Sequence, residues 1–165
     1  MKVVADSSPL IILAQIGCFD HIPASYGHIF ITEEVHAEVV VAGSGLPGAE
    51  QVAHADWIKV REVKSRDSLA TSQSKYRLGI GELSTLILAG EIGADAVIVD
   101  DLKARKLAAK LGFAVRGAVG LLEAFYRRGD IDDLRLCFNR LLASGAYVDR
   151  SLLNLRLAAL GLPPL

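Results

Sequence analysis

Residues 82–117 read ELSTLILAGEIGADAVIVDDLKARKLAAKLGFAVRG, and their alternation decides the fold. Apolar residues spaced by three and four predict a helix from Glu82 to about Ile92. The continuous apolar run Ala96 to Val99 predicts a strand, Asp101 to Leu111 a second helix, and Ala114 to Val115 a brief strand ending near Gly117. Short strands that are apolar on both faces, joined by helices, are the signature of a parallel sheet covered on both sides.

The same alternation extends upstream. Lys2 to Ala5 is a short apolar strand, Ser8 and Pro9 open a helix carrying Leu10 to Ile16, and Gly17 stops it. His28 to Ile31 predicts another strand, after which Thr32 can cap a helix through Glu33, Val35, Glu38 and Val39. GSGLPG, residues 43–48, is a loop, and a strand lies around Trp57 to Val63. The polar stretch KSRDSLATSQSKYR, residues 64–77, predicts an exposed loop or a loosely held helix. Beyond residue 117 the chain is mainly helical, with Gly129 and Gly145 as breaks. The expected fold class is therefore α/β, a three-layer α/β/α parallel sheet with a helical C-terminal extension, and residues 1–165 form one domain.

Composition narrows the function classes. The chain has 165 residues, 22% charged and 52% hydrophobic, which suits a folded core and not a disordered chain. No apolar run reaches the roughly 18 residues of a membrane span, and Asp6 interrupts any N-terminal secretory segment, so a cytoplasmic protein without membrane contact is expected. Cys18 and Cys137 form neither a CxxC nor a Cys/His cluster, which leaves no zinc site and no disulfide framework; both read as buried apolar residues. A net charge of −1 excludes attraction of nucleic acid by the whole surface but allows a local basic face.

The chemistry lies in four acidic positions. In an open α/β sheet ligands bind beyond the carboxyl ends of the strands. Asp6 and the pair Asp100/Asp101 follow such strands, Glu82 follows the LGIG turn, and Glu38 lies in the helix after the second strand. Clustered carboxylates repel one another unless a cation neutralises them, and hard oxygen donors without a His or Cys set suit Mg²⁺ or Mn²⁺. Such an ion would activate water and offset charge at a phosphodiester. Taken singly, each acid has a plainer role: Asp6 as a helix cap, Glu38 as a solvated helix residue, Glu82 as a favourable charge at a helix N-terminus, and one of Asp100 and Asp101 as a cap.

Three stretches carry a family likeness: Asp6 followed by SSPLIILAQIG (residues 7–17), then EEVHAEVV, then LGIGELSTLILAGEIGADAVIVDDLKARKLAAKLGFAVRGAVGLL. Together they resemble the PIN-domain ribonuclease superfamily, and within it a branch similar to VapC toxins with SSPLI, GE and DDxxAR motifs. The resemblance runs from Lys2 into the C-terminal helices. It implies a Rossmann-like α/β/α fold and Mg²⁺- or Mn²⁺-dependent endoribonuclease activity, with Asp6, Glu38, Glu82 and Asp101 as catalytic acids and Asp6, Glu82, Asp101 or Asp100 toward the metal. Asp100 competes with Asp101 for the fourth place. It also implies a small antitoxin partner and a homodimer. The chain departs from many relatives in having Glu82 where aspartate is common, and Val99-Asp100-Asp101 where a Thr-x-Asp pattern is common.

Ser7 matches the small hydroxyl residue after the first acid, where it would support Asp6. Arg105 is placed near the carboxylates by the start of its helix, and Lys103, Arg105 and Lys106 are the candidate RNA-binding residues, with a solvated face as the plainer reading of each. His21, His28, His36 and His54 share no motif and are not expected to act as bases. Two functions compete: a metal-dependent endoribonuclease, the toxin of a toxin–antitoxin pair, and a catalytically weak or inactive PIN-like module that binds RNA or protein. A phosphoacceptor receiver fails because midchain Asp56 starts a strand, and a haloacid-dehalogenase-like hydrolase fails because Ser7 and Ser8 follow Asp6 where that class needs DxD. The apolar segment SLLNLRLAALGL, residues 151–162, fits packing on its own domain or a dimer or antitoxin surface.

Overall fold

The computed structural model describes all 165 residues. Five strands, β1 (Val3–Ala5), β2 (Ile29–Thr32), β3 (Ile58–Arg61), β4 (Ala96–Ile98) and β5 (Ala114–Arg116), form one parallel sheet in the order β3-β2-β1-β4-β5. Val4 pairs with Phe30 on one side and with Val97 on the other. The chain winds outward from β1 to β3, crosses back to β4, then winds outward the opposite way. Strand order therefore reverses between β1 and β4, which opens a crevice at their carboxyl ends.

Helices cover both faces. Alternate residues of β1 and β4 feed different cores, as the pleat requires. Val3, Ala5, Ala96 and Ile98 face α1 (Ser7–Gln15), α8 (Ala118–Arg128), α9 (Leu134–Ala143) and α10 (Arg150–Ala159), whereas Val4, Val97 and Val99 face α5 (Arg66–Tyr76), α6 (Ile80–Ile92) and α7 (Leu102–Lys110). The first core holds 25 buried residues and the second 12, so the helical C-terminal extension deepens one face only. Burying a Leu or Phe side chain there contributes about 1.5–3 kcal/mol. Phe125, Phe138, Leu153 and Leu157 are the main contributions of α8, α9 and α10.

The three-layer α/β/α architecture is the one expected, and the differences are local. A 3₁₀ turn at Phe19–His21 leads into α2 (Ile22–Tyr26), and α4 (Ala49–His54) follows the glycine loop; neither has the apolar period that marks a longer helix. The polar stretch is helical as α5 but buries only Leu69. Helix α6 starts two residues earlier than Glu82, with Gly79 as its cap. Helix α3 (Glu33–His36) is capped by Thr32 and widens into a π-helical turn, Ala37–Ala42, that carries Glu38. Helix α10 buries Leu153 and Leu157 against its own chain while Leu152 and Leu155 stay exposed.

Candidate metal centre

Asp6 leaves the end of β1 and sits at the N-cap position of α1. Its side chain makes no capping hydrogen bond. The carboxylate is 2% exposed, and its Oδ1 is buried without a hydrogen-bond partner. An unpaired buried acceptor costs free energy unless something else satisfies it. Asp6 thus lacks the satisfaction that a simple cap would give.

The cleft beside it is lined by Asp6, Ser7, Ser8, Glu38, Gly79, Ile80, Gly81 and Glu82. Gly81 forms its floor. A Cβ at that position would stand 3.1 Å from Asp6 Oδ1 and 2.8 Å from Glu38 Oε2, the latter closer than carbon tolerates. The two carboxylates therefore converge over Gly81, and a side chain there would displace the end of Glu38. Burial is the main cause that pushes the Asp6 carboxyl up from 3.8 to about 7; the Ser7 N–H pulls it down, and the charges of Glu82, Glu38 and Asp100 push it further up.

Glu82 lies at the third position of α6 and turns back, its Oε2 accepting the Gly79 N–H at 2.5 Å. This capping geometry suits the length of glutamate. Beneath it, the fully buried hydroxyls of Thr32 and Ser84 lie 2.8 Å apart, and Thr32 also accepts the Val35 N–H. This pair ties the start of α3, which leads to Glu38, to the start of α6, which carries Glu82.

The two adjacent aspartates after β4 separate in role. Asp101 is exposed, and its Oδ1 caps α7 by accepting the Ala104 N–H at 2.9 Å. Asp100 is half-buried, accepts the Ala118 N–H at 2.8 Å through Oδ1 and leaves Oδ2 buried and unpaired. Burial raises its pKa, and the Ala118 N–H and the Arg105 guanidinium draw it back. The sequence expectation put Asp101 ahead of Asp100 as the fourth acid; of the two, Asp100 is the one with a buried, unpaired oxygen, and Asp101 is the one that caps a helix.

Arg105 donates from Nη1 to the Val99 carbonyl at 3.2 Å, under Gly117, where a Cβ would strike both Arg105 and Asp100. It holds the end of β4 in place. Lys103 and Lys106 are exposed on α7 and form no ion pair. Ser7 is 3% exposed and lines the cleft.

The donor set fits a hard divalent cation: carboxylate oxygens of Asp6 and Glu38 over Gly81, the Asp6 Oδ1 orphaned. No three such side chains form a ready-made ion cage, since Glu82 is turned onto Gly79 and Asp101 caps a helix. Sequence reasoning named the acids and assigned no role at the site to Gly81, Gly117 or the Thr32–Ser84 pair. The signal for Gly81 was the glycine directly before an acid in LGIGE.

No curated protein matches the chain. A family model described as PIN domain matches residues 2–161, a span that includes every acid of the cleft and all five strands. The chain therefore belongs to the PIN-domain family, whose fold is of the nuclease type.

Proposed function

We propose that the protein is a metal-dependent endoribonuclease that hydrolyses RNA phosphodiester bonds at the cleft lined by Asp6, Glu38 and Glu82, with Asp100 or Asp101 as the fourth acid. The observation that carries this reading is the orphaned, buried Asp6 carboxylate converging with Glu38 over Gly81. Bound Mg²⁺ or Mn²⁺ would activate water and offset charge on the scissile phosphate. The protein's own groups do the rest. Asp6 and Glu38 would hold the ion, Asp100 would add negative charge from the neighbouring strand, and Glu82 would supply a further carboxylate beside them. Ser7 borders the carboxylates where it can orient Asp6. Lys103, Lys106 and Arg105 lie on the helix after Asp101, and the exposed lysines would meet the RNA backbone as point charges.

The resemblance of residues 6–17 and of DDLKAR, residues 100–105, to VapC-like sequences supports a toxin of a toxin–antitoxin pair, with a small antitoxin protein and a homodimer as its assemblies. The exposed Leu152 and Leu155 on α10 are compatible with such contacts. A second reading, a PIN-like binding module with little catalysis, is favoured by one observation: Glu82 is committed to capping α6.

Cleavage of a mixed RNA pool by the purified protein in Mg²⁺, Mn²⁺ or EDTA, beside Asp6→Asn prepared identically, separates the two. Metal-dependent cutting that the variant lacks supports the nuclease. Equal cutting by both proteins, or none, moves the assignment to the binding module.

A further inference from the structure

Away from the acidic cleft, two thiols meet in the larger core. Cys18 lies in the turn after α1 and Cys137 in α9; both are free, at 2% and 6% exposure. Their Sγ atoms stand 3.8 Å apart across 119 residues of sequence. Closing to the roughly 2.05 Å of a disulfide needs a movement under about 2 Å, within what side-chain rotation and small helix adjustment supply. An open hollow lies nearby in sequence, lined by neighbours of the two cysteines and by neither thiol itself. Its walls include Ile16 and Gly17, immediately before Cys18, and Arg140, one turn after Cys137. Gly17 has nothing near the position of a Cβ, and Arg140 Nη1 points at the Ile16 carbonyl from 3.5 Å.

We propose that Cys18 and Cys137 are a dithiol site that a hydroperoxide oxidises to an intramolecular disulfide, cross-linking the turn after α1 to α9. Burial selects the oxidant: hydrogen peroxide fits where a tripeptide such as glutathione does not. The two sulfurs share one contact in which either S–H can donate; Cys137, the less buried residue and one turn from Arg140, is assigned as the first nucleophile, its thiol drawn down by the contact with Cys18 and by Arg140 against the effect of burial. The Cys137 thiolate attacks one peroxide oxygen, the O–O bond breaks, and the second oxygen leaves as hydroxide, which takes up the proton Cys137 gave up. The resulting sulfenic acid is attacked at sulfur by Cys18; the S–S bond forms, and the hydroxyl leaves as water with the Cys18 proton. Two thiols are oxidised and one peroxide is reduced to two waters. The site lies apart from the metal centre, since the nine residues of α1, about 13 Å of helix, lie between Asp6 and the turn that holds Cys18.

The test treats the full-length protein with hydrogen peroxide under native conditions, then alkylates it in denaturant and weighs it. The expected product is a monomeric chain with no alkylatable thiol, about 2 Da lighter than the starting chain, and restored by dithiothreitol. In Cys18→Ala, Cys137 should still be consumed and should be trapped by a sulfenic-acid reagent. Two thiols left intact by a treatment that oxidises free cysteine completely would overturn the proposal, as would disulfides between chains. So would an oxidation rate that rises in step with urea-induced unfolding, since the reactive species would then be the opened chain.

Discussion

Replacing Asp6 by asparagine should stabilise the protein at pH 8 far more than at pH 5, with no divalent metal present. The carboxyl is 2% exposed, and burial beside other acids raises its pKa from 3.8 to about 7. A raised carboxyl binds a proton more tightly in the folded chain than in the unfolded one. Folding therefore loses stability as pH climbs from the unfolded value toward 7, and the loss levels off above it. At 1.36 kcal/mol per pKa unit, the full cost of ionising Asp6 in place is about 4 kcal/mol. About 2 kcal/mol of that falls between pH 5 and 7. Asparagine keeps the size of the side chain and cannot ionise, so the stability difference between Asp6→Asn and wild type should grow by about 3 kcal/mol between pH 5 and pH 8. Urea denaturation in EDTA at the two pH values measures it directly. For a chain of this length the corresponding change in the Tm difference is roughly 6–12 °C. A stability difference that does not change with pH would refute the reasoning, because Asp6 would then be solvated or paired.

Mn²⁺ should bind with release of a proton near pH 7, because the ion takes the ionised form of Asp6; titration calorimetry in buffers of different ionisation enthalpy should give a buffer-dependent heat, and a buffer-independent heat would contradict it. Gly81→Ala should weaken Mn²⁺ binding by about tenfold or more, since its Cβ would meet Glu38 Oε2 at 2.8 Å, while circular dichroism shows the fold retained. Asp101→Ala should cost about 1 kcal/mol through loss of the α7 cap and leave Mn²⁺ affinity nearly unchanged, whereas Asp100→Asn should lower that affinity; the opposite pattern would restore Asp101 as the fourth acid. Arg156→Ala should destabilise the chain by about 3 kcal/mol in urea denaturation, because it strands the buried Glu123 carboxylate that Arg156 grips with two nitrogens and that joins α10 to α8.

How far the sequence foretold this molecule depends on the range of the forces involved. AVIV at residues 96–99 and VVA at 3–5 are apolar on both faces, and only a covered parallel sheet buries them so; their reading needed no tertiary information. Helix α5 was harder, because a helix that buries Leu69 alone carries almost no period. The π-helical turn at Ala37–Ala42 left no local signal, as one extra residue per turn is a matter of packing between α3 and its neighbours. At the site, Asp6 was legible from its place after a strand. The choice between Asp100 and Asp101 was not, since neighbouring residues at a strand end point apart and only the three-dimensional position of Ala118 and Ala104 decides which carboxylate each N–H takes. Gly81 escaped for the same reason: a glycine's function as an open floor exists only once Asp6 and Glu38 are folded onto it.

The most direct test is a Mn²⁺ titration followed by the electron paramagnetic resonance of the free ion, with wild type and Asp6→Asn side by side at about pH 7.5, where the Asp6 carboxyl is mostly ionised. Wild type should remove Mn²⁺ from solution saturably, and Asp6→Asn should leave most of it free. Equal uptake by the two proteins, or none by wild type, would contradict a metal centre built on Asp6.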